Sequence, residues 1–349
     1  MINGQQATEG GVPASQPASG TMRAIVQEAY GPADVLHQAR IPLPAIAEDQ
    51  VLVRVRAAGL DRGTWHVTTG RPYALRLAYG FRAPKNPVPG MDLAGTVEAV
   101  GAKVTRFAVG DQVFGTGKGT FAEYAAARED QLAHKPANIS FEQAAAVPVS
   151  ACTALIAVRA GGLDARRGIP QRRLKVLVTG ASGGVGGYAV QCAKAAGAEV
   201  TGVSSPAKLD LVRALGADHV VDYTAQDCAD GTEKYDVIID IAGNPSVSRL
   251  RRALTPRGTA VITGGEEGGS WTGGLDRQFR ALALSPFIRQ KLTMIVGTQS
   301  AADLGYLAGL LEAGTISPAI DRTFPLAKAP EAMRYFDAGK ARGKVVITI

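Results

Sequence analysis

A glycine-dense turn between an apolar strand and a helix is the feature of this chain with the clearest chemistry. Residues 175–197 run from an apolar segment through Gly-Ala-Ser-Gly-Gly-Val-Gly into a helix-like segment at 188–196. Glycine lets the backbone approach phosphate groups, and a helix N-terminus offers free N–H groups and a favourable dipole. This order of elements predicts a site for a dinucleotide pyrophosphate at Gly180, Ala181, Ser182, Gly183, Gly184, Val185 and Gly186.

The glycine pattern alone is weak evidence, because the chain holds 42 glycines and chance matches are expected. Its position between a strand and a helix favours a phosphate-binding turn over the alternative interpretation, a flexible loop. Two overlapping registers fit a dinucleotide fingerprint, one starting at Ala181 and one at Gly184. In either register, we expect Gly183 and Gly186 to lie where a side chain would block the phosphate or the contact between strand and helix.

The strand that follows the turn indicates which dinucleotide is bound. Residues 199–205 form a short β-like run, and an NAD site places an acid near its end, on the ribose 2′-OH. This chain has Ser204 and Ser205 there, followed by Lys208. Hydroxyl and ammonium groups attract a 2′-phosphate that a carboxylate would repel, so the segment predicts NADP(H). The alternative, which is compatible, is that the two serines cap a helix at 207–215.

Glycine-rich turns also follow the fourth and fifth predicted strands of this region, at 236–241 and 259–263. Ligands bind at the carboxyl ends of the strands in parallel sheets. We therefore expect cofactor contacts at both places, simple turn chemistry being the alternative. The residues concerned are Ala242, Gly243, Asn244, Gly264 and Gly265.

Bulk composition indicates a globular two-domain protein of 349 residues with 46% hydrophobic residues. The net charge of +7 is scattered and aromatic residues make up only 6%, which argues against a nucleic-acid module. Three widely spaced cysteines form no disulfide framework, and a cytoplasmic location is expected. No apolar run is long enough to span a membrane, so no membrane partner is predicted. Residues 1–21 are predicted to form a disordered tail.

The hydrophobic pattern changes character along the chain. Residues 22–149 are strand-like and turn-rich, whereas strands and helices alternate over 150–299, which predicts a doubly wound parallel sheet. The segment 344–349 is a terminal strand that needs a sheet to join, and the β-rich first half is its expected host. The predicted fold class is α/β, with one domain formed by 22–149 and 300–349 and a second formed by 150–299.

Short motifs in a consistent order resemble those of the medium-chain dehydrogenase/reductase superfamily. Examples are Pro-Gly-Met-Asp-Leu-Ala-Gly at 89–95 and Val-Gly-Asp-Gln-Val-Phe-Gly at 109–115. The chain is most similar to the zinc-independent, quinone-oxidoreductase-like (zeta-crystallin-like) group, and it also resembles the reticulon-interacting mitochondrial oxidoreductases. The remaining matching segments are 57–60, 121–124, 144–148, 180–186, 215–223 and 342–344.

The resemblance implies a GroES-like β-rich catalytic domain and a Rossmann domain, with the active site between them and dimers formed through the Rossmann-sheet edges. It implies NADPH as cofactor and a quinone or an enone-type double bond as substrate. Thr153 resembles a threonine near the nicotinamide ribose, with a backbone-bonded helix residue as the alternative. Ser204, Lys208 and Tyr223 resemble a 2′-phosphate set, although Tyr223 at the edge of the core is equally expected. Lys344 or Arg342 resembles a basic residue that reaches the cofactor, with a solvated surface charge as the alternative.

The resemblance also bears on metal binding. Zinc-dependent relatives carry a cysteine and a His-Glu pair where this chain has Asp61 and Met91-Asp92, and a thioether with carboxylates cannot reproduce that site. We therefore predict no metal. The residues that line the substrate side in the family supply the candidates for the proton donor and substrate hydrogen bond, with pocket packing as the alternative for each. These candidates are Tyr73, His66, Asp61 and Thr64.

Three functions remain open at this level. The first is an NADPH-dependent reductase of quinones or enones. The second is a nucleotide-binding protein of the same fold without catalysis, which binds RNA or protein. The third is an alcohol or aldehyde oxidoreductase.

Overall fold

The computed structural model describes residues 20–164, 172–243, 245–264, 269–295 and 299–349. Within these ranges the strands form a two-stranded sheet, a seven-stranded sheet and a six-stranded sheet. Most of the predicted tail, residues 1–19, lies outside the described part of the chain. The tail boundary at residue 21 was placed too late, because Thr21 already pairs with Pro42.

The first half of the chain is β-rich, as predicted. A two-stranded antiparallel sheet is followed by the long strands β3 and β4, which are largely buried and alternate with more exposed residues only in part of their length. The strands are β1 (Thr21–Val26), β2 (His37–Pro42), β3 (Gln50–Leu60), β4 (Asp92–Val100), β5 (Gln112–Thr116), β6 (Tyr124–Arg128) and β7 (Leu132–His134). The helices are α1 (Arg62–Thr69), α2 (Arg76–Tyr79), α3 (Phe141–Ala145) and α4 (Pro148–Ala160).

The second half forms a six-stranded parallel sheet with the order β10-β9-β8-β11-β12-β13. This order places its topological switch point between β8 and β11, where doubly wound sheets bind dinucleotides. The strands are β8 (Lys175–Val178), β9 (Glu199–Ser204), β10 (His219–Asp222), β11 (Tyr235–Asp240), β12 (Leu254–Ile262) and β13 (Lys291–Met294). The helices are α5 (Gly184–Ala195), α6 (Leu209–Ala214), α7 (Val247–Ala253), α8 (Leu275–Leu284) and α9 (Ala301–Glu312).

Two element boundaries differ from the sequence prediction in ways that matter for the site. Helix α5 begins at Gly184, four residues before the predicted start, so that the last glycines of the turn belong to the helix. The alternation of strands and helices over 150–299 also predicts a strand at 293–296; the structure has β13 there, beginning at Lys291, and residue 296 lies outside the described residues. Glycine is a poor helix former, which is why periodicity alone placed the start of α5 too late.

The end of the chain returns to the first sheet. Strand β15 (Lys344–Thr348) pairs antiparallel with β3 and parallel with β14 (Ile320–Pro325), while helix α10 (Ala329–Asp337) lies between β14 and β15 in sequence. The pairing with β3 confirms the expected host of the terminal strand. The division into domains at residues 149/150 and 299/300 stays a prediction.

One hydrophobic core connects the two large sheets. It runs from Ala57 and Phe114 in the first sheet, through α4, to Val178 and Ile239 in the parallel sheet. The side of α4 that carries Ala151 and Leu155 is buried in this core. Helix α4 therefore links the two sheets, and its first turn lies beside the candidate site.

Candidate functional site

The glycine turn has the geometry that close approach of a phosphate requires. Gly180 adopts φ +65°, in the left-handed region that favours glycine. A Cβ on Gly186 would overlap the carbonyl oxygen of Gly180, so only glycine permits the observed contact of α5 with the end of β8. Around Gly183, the helix N-cap, a Cβ would meet only the Gly180 carbonyl oxygen, at 3.3 Å. The expectation for Gly186 thus holds for strand–helix packing, while the space over Gly183 is open.

This turn fits a dinucleotide pyrophosphate. The first N–H groups of a helix have no intrahelical partner, and those of Gly184, Val185 and Gly186 occupy that position in α5. Ala181 and Gly183 use their N–H groups to fix the turn, donating to the carbonyl oxygens of Val203 (2.9 Å) and Gly180 (3.0 Å). The turn is held by its own hydrogen bonds while the helix end keeps donors for an anion.

The residues predicted for the 2′-phosphate come together at the ends of β9 and β10. Ser204 is paired with Asp222 across the two strands, and the next residue, Tyr223, donates its N–H to the Ser204 carbonyl oxygen (3.3 Å). The Tyr223 side chain is 61% exposed, so its alternative placement at the edge of the core is wrong. Neither serine caps a helix through its hydroxyl, because Ser204 Oγ donates to the Ser205 carbonyl and Ser205 makes no side-chain cap.

The two cations near this cluster already have partners within the chain. Lys208 Nζ donates to the carbonyl oxygens of Gly339 and Ala341, each at 2.8 Å, and burial lowers its pKa. Arg342 forms an ion pair with Asp210 at 2.6 Å. The turn that joins α10 to β15 therefore packs on the end of β9 and brings Arg342 to the same cluster.

The carboxyl ends of β8, β11 and β12 are joined by short contacts. Thr179 Oγ1 accepts hydrogen bonds from the N–H groups of Ile241 (2.8 Å) and Ala242 (3.1 Å). A Cβ on Gly264 would lie 2.6 Å from the Ile241 carbonyl oxygen, so glycine is required there for close approach. The predicted residues Ala242, Gly243 and Gly264 thus sit at one edge, whereas Asn244 and Gly265 lie outside the described residues.

A buried ion pair that the sequence analysis missed braces this edge. Arg277 Nη1 on α8 lies 2.6 Å from Asp240 Oδ2, and the guanidinium also donates to the carbonyl oxygens of Pro245 and Gly264, each at 2.8 Å. Thr179 Oγ1 donates to the other carboxylate oxygen at 3.1 Å. Burial raises the pKa of Asp240 to about 6, although Arg277 opposes this. The available signal was an acid directly after the apolar run Val237–Ile239.

Thr153 lies on the second turn of α4. Its hydroxyl donates to the Val149 carbonyl oxygen at 2.6 Å, which is the backbone-bonded arrangement weighed as the alternative. A hydroxyl oxygen retains acceptor capacity while it donates, so this bond is compatible with a contact to a ribose.

Asp61 and Thr64 lie at the start of α1, and both are buried. Asp61 is the N-cap of the helix, since its Oδ1 accepts the Thr64 N–H at 2.7 Å. Burial raises the pKa of Asp61, while the nearby Lys344 opposes the shift. Among the described residues, Asp61 Oδ2 and Thr64 Oγ1 have no hydrogen-bond partner. Buried polar atoms in this state are available to a ligand.

His66 and Tyr73 border the same region from the surface side. His66 Nδ1 lies 2.5 Å from the carbonyl oxygen of Arg71, which fixes the ring by a backbone contact. The Tyr73 N–H donates to the Ser270 carbonyl (2.9 Å), and its ring meets the Trp271 ring edge-on with centroids 5.3 Å apart. Tyr73, which follows α1 in the chain, therefore contacts the segment just before α8. Trp271 was not predicted, and nothing local in the sequence marks it.

The residues in place of the relatives' zinc ligands do converge. A Cβ on Gly63 would meet both Met91 Cε and Asp61 Oδ1, and a Cβ on Gly59 would lie 2.8 Å from Asp92 Oδ2. These donors do not fit zinc. Asp61 replaces the cysteine thiolate of the zinc-dependent relatives, and the Met91 thioether replaces their histidine imidazole. Within the described ranges, no group of three or more His, Cys, Asp or Glu side chains is placed to hold a metal ion.

A cation of the chain itself lies beside these acids. Lys344 Nζ is 3.4 Å from Asp92 Oδ2 and 3.0 Å from Ser150 Oγ, and its side chain is 3% exposed. The alternative of a solvated surface charge at Lys344 is therefore wrong. Burial raises the pKa of Asp92 above its ordinary value, and the adjacent Lys344 opposes this shift. Asp92 entered the sequence analysis only as a lost metal ligand, and its contact with Lys344 was not foreseen.

The structure thus groups the predicted residues into neighbouring sets along one edge of the parallel sheet. The glycine turn, the ends of β11 and β12, and the serine cluster lie on the parallel sheet itself. Tyr73 reaches this sheet through residues 270 and 271, and Lys344 reaches it through α4 and α5. A Rossmann-type sheet with a GroES-like partner and a phosphate-binding turn defines a nicotinamide-dependent oxidoreductase fold.

Comparison with known proteins agrees with this class. The zinc-binding dehydrogenase family matches residues 215–347, and the alcohol dehydrogenase GroES-like domain matches residues 47–137. The chain belongs to the medium-chain dehydrogenase/reductase superfamily, within its quinone-oxidoreductase-like group.

Three similar proteins cover nearly the whole chain. It is 33% identical to an NADPH-dependent alkenal/one oxidoreductase, chloroplastic, of Arabidopsis thaliana, over 93% of this chain and 79% of that protein. It is 32% identical to a mitochondrial NAD(P)H oxidoreductase of Danio rerio, over 94% of this chain and 91% of that protein. The solved structure of a quinone oxidoreductase from Coxiella burnetii superposes with a TM-score of 0.81 at 25% identity, covering 95% of this chain and all of that one.

Proposed function

We propose that this protein is a zinc-independent, NADPH-dependent oxidoreductase that transfers a hydride to a quinone or to an enone-type double bond. The observation that carries the proposal is the combined site: a pyrophosphate-binding turn, serines where an NAD site has an acid, and Met91 with two acids where zinc ligands would stand. Membership of a family with alkenal/one and quinone oxidoreductases supports the substrate class.

When bound, the nicotinamide supplies the hydride. The chain's part is to bind and orient the cofactor. In the proposal the first turn of α5 and Lys344 hold the pyrophosphate, and Ser204, Ser205, Lys208, Tyr223 and Arg342 hold the 2′-phosphate. In the same proposal Ala242, Gly243 and Gly264, together with Thr153, contact the nicotinamide half.

The chain must also polarise the substrate oxygen and supply a proton. Tyr73 is the first candidate, because it is half-buried and contacts residues 270 and 271, which precede α8. His66 is the second, with one ring nitrogen engaged by the Arg71 carbonyl. Asp61 and Thr64 complete the set through their unpartnered buried oxygens.

A screen of NADPH oxidation against quinones, enones and aldehydes tests the proposal. We expect turnover with a quinone or an enone, and the same rate after dialysis against a strong chelator. Loss of activity on chelation with recovery on zinc would show that the metal-free assignment is wrong. Turnover of aldehydes alone would favour the alternative of an alcohol or aldehyde oxidoreductase. The matching family model, which is described as a zinc-binding dehydrogenase, is consistent with that alternative. NADPH binding without any turnover would favour a non-catalytic nucleotide-binding protein.

The cellular location is part of the proposal. The cysteines Cys152, Cys192 and Cys228 are free thiols, which is the usual state of cysteines in a reducing compartment. We propose the cytoplasm, although the named relatives include chloroplastic and mitochondrial proteins. No helix in the described ranges has the length and apolar character to cross a bilayer. Fractionation of cells that express the native chain tests the assignment.

A further inference from the structure

A buried ion pair ties the last strand to the fourth strand and to the start of α4. Lys344 Nζ lies 3.4 Å from Asp92 Oδ2 and 3.0 Å from Ser150 Oγ. The other oxygen of the same carboxylate, Asp92 Oδ1, accepts the Val149 N–H at 2.7 Å, at the open end of α4. The Asp92 and Lys344 side chains are 0% and 3% exposed, so water does not replace either partner.

The same lysine passes over the phosphate-binding end of α5. A Cβ on Gly184, the first residue of α5, would lie 3.0 Å from Lys344 Cδ and 3.0 Å from Ser150 Oγ. The lysine stem therefore fills the space above Gly184, and its ammonium group lies between the first turns of α4 and α5. A fixed cation at this place adds to the positive end of the α5 dipole.

A buried ammonium group is costly to leave without a counter-charge. An opposite charge in contact with it, together with a further hydrogen bond, offsets the cost of removing it from water. Asp92 is that charge, and it lies in direct contact with the lysine. Without its carboxylate, Lys344 would face Ser150 and the more distant Asp61.

We propose that Asp92 is a positioning residue for the cofactor, which holds the Lys344 ammonium group against the first turns of α4 and α5. In zinc-dependent relatives the corresponding position carries a carboxylate of the metal site. In this chain the carboxylate of Asp92 would instead hold the ammonium group of Lys344. The proposal rests on the proposed function, because it takes NADPH as the cofactor.

A double-mutant cycle on NADPH binding tests the proposal. Asp92→Asn retains an acceptor for the Val149 N–H but removes the charge, and we expect it to raise the NADPH dissociation constant about tenfold or more. In a Lys344→Met background, the same substitution is expected to change the constant by less than about twofold, since Asp92 acts through the lysine. Asp34→Asn, which removes a surface partner of Arg334, is the matched control and should leave binding unchanged.

Thermal unfolding separates positioning from simple structural support. Each single substitution leaves the other member of the pair as a buried charge without its partner. The double variant, Asp92→Asn with Lys344→Met, removes both charges and should recover most of the wild-type midpoint of thermal unfolding. We expect its NADPH affinity to remain weak. The proposal would be overturned if the double variant recovered NADPH affinity together with its unfolding midpoint. It would also be overturned if Asp92→Asn changed the NADPH dissociation constant equally in the wild-type and Lys344→Met backgrounds, or changed it in neither.

A milder variant covers the case in which Asp92→Asn does not fold. Ser150→Ala removes the second partner of Lys344 with little change in volume, and we expect it to weaken NADPH binding about threefold, with no effect in the Lys344→Met background. An unchanged dissociation constant would count against the proposal. Binding is measured without substrate, so a wild-type chain that binds NADPH but reduces no quinone or enone overturns the proposed function alone.

Discussion

Ser205 lies at the end of β9, where an NAD-binding sheet carries an acid on the ribose. We expect Ser205→Asp to raise the NADPH dissociation constant by at least about tenfold, because a carboxylate repels the 2′-phosphate. Binding of NADH should stay the same or become tighter. Fluorescence titration with both cofactors measures the change.

The control for this variant is Gln38→Asp, which adds the same charge at an exposed position of β2, in the two-stranded sheet. It should leave both dissociation constants unchanged. Equal weakening of NADPH and NADH by Ser205→Asp would show that the substitution disturbs the fold of the loop rather than the choice of cofactor.

Asp240 gives the protein a pH dependence that can be measured. Its pKa is about 6 in the folded chain, against an ordinary value of 3.8, because burial disfavours the carboxylate. The folded state therefore holds this proton over a range in which the unfolded state has released it. The stability contributed by the group is greatest at low pH and is lost as the pH rises through about 6.

We expect the wild-type free energy of unfolding to fall between pH 5 and pH 7 by about 1 kcal/mol more than that of Asp240→Asn. Urea unfolding at the two values measures the difference. Asn has no proton to release in this range, so its curve lacks the contribution. Parallel pH profiles for the two proteins would contradict the assignment of this titration to Asp240.

Helix α5 depends on glycine for its position against β8. We expect Gly186→Ala to lower the free energy of unfolding by about 1–3 kcal/mol, since its Cβ would overlap the backbone oxygen of Gly180. Because the same shift moves the N–H groups that meet the pyrophosphate, NADPH binding should also weaken. Denaturant unfolding and cofactor titration measure the two effects.

The matched control is Gly309→Ala in α9, where a Cβ would have no neighbour within 4 Å. Alanine favours a helix over glycine, so this variant should be unchanged or more stable by up to about 1 kcal/mol. If both variants behaved alike, the packing argument for Gly186 would be wrong.

The elements around the site also differ in how they are stabilised. Helix α1 is capped by the residue that precedes it, Asp61, whereas in α4 the Val149 N–H donates to the carboxylate of Asp92, which is distant in sequence. Loss of Asp61 would therefore affect mainly α1, while loss of Asp92 would affect the link between the two sheets.

At the scale of the whole molecule, the edge strand β13 is the expected dimer contact. It pairs with β12 on one side only within the described chain, and Phe287 beside it is 84% exposed. We expect a solution mass of twice the chain mass of 36.2 kDa. Met294→Asp should yield the single-chain mass, because a charge on the edge opposes strand pairing.

Light scattering coupled to size-exclusion chromatography measures both masses. A wild-type protein that elutes at 36.2 kDa would contradict the edge-pairing prediction. A dimer that persists in Met294→Asp would place the contact elsewhere on the surface.

The sequence by itself determined the features that depend on near neighbours in the chain. The strand–turn–helix order at residues 175–197, the alternation of strands and helices that follows, and the missing acid after β9 are local patterns. The family motifs extended these patterns to the fold class and to the general location of the site. Within the glycine turn, only the start of α5 was displaced, because glycine hides a helix from periodicity.

Only the tertiary structure decided which side chains meet across the chain. Lys344 and Asp92 are 252 residues apart, and Arg277 reaches Asp240 and two loops at once. Such contacts depend on how β15 joins β3 and how α8 packs on the sheet, which no local pattern encodes. The energetic requirement that buried charges be paired then determines the environment of each group. Asp92, which stands where zinc-dependent relatives carry a metal-site residue, is in this structure the partner of Lys344 beside the phosphate-binding turn.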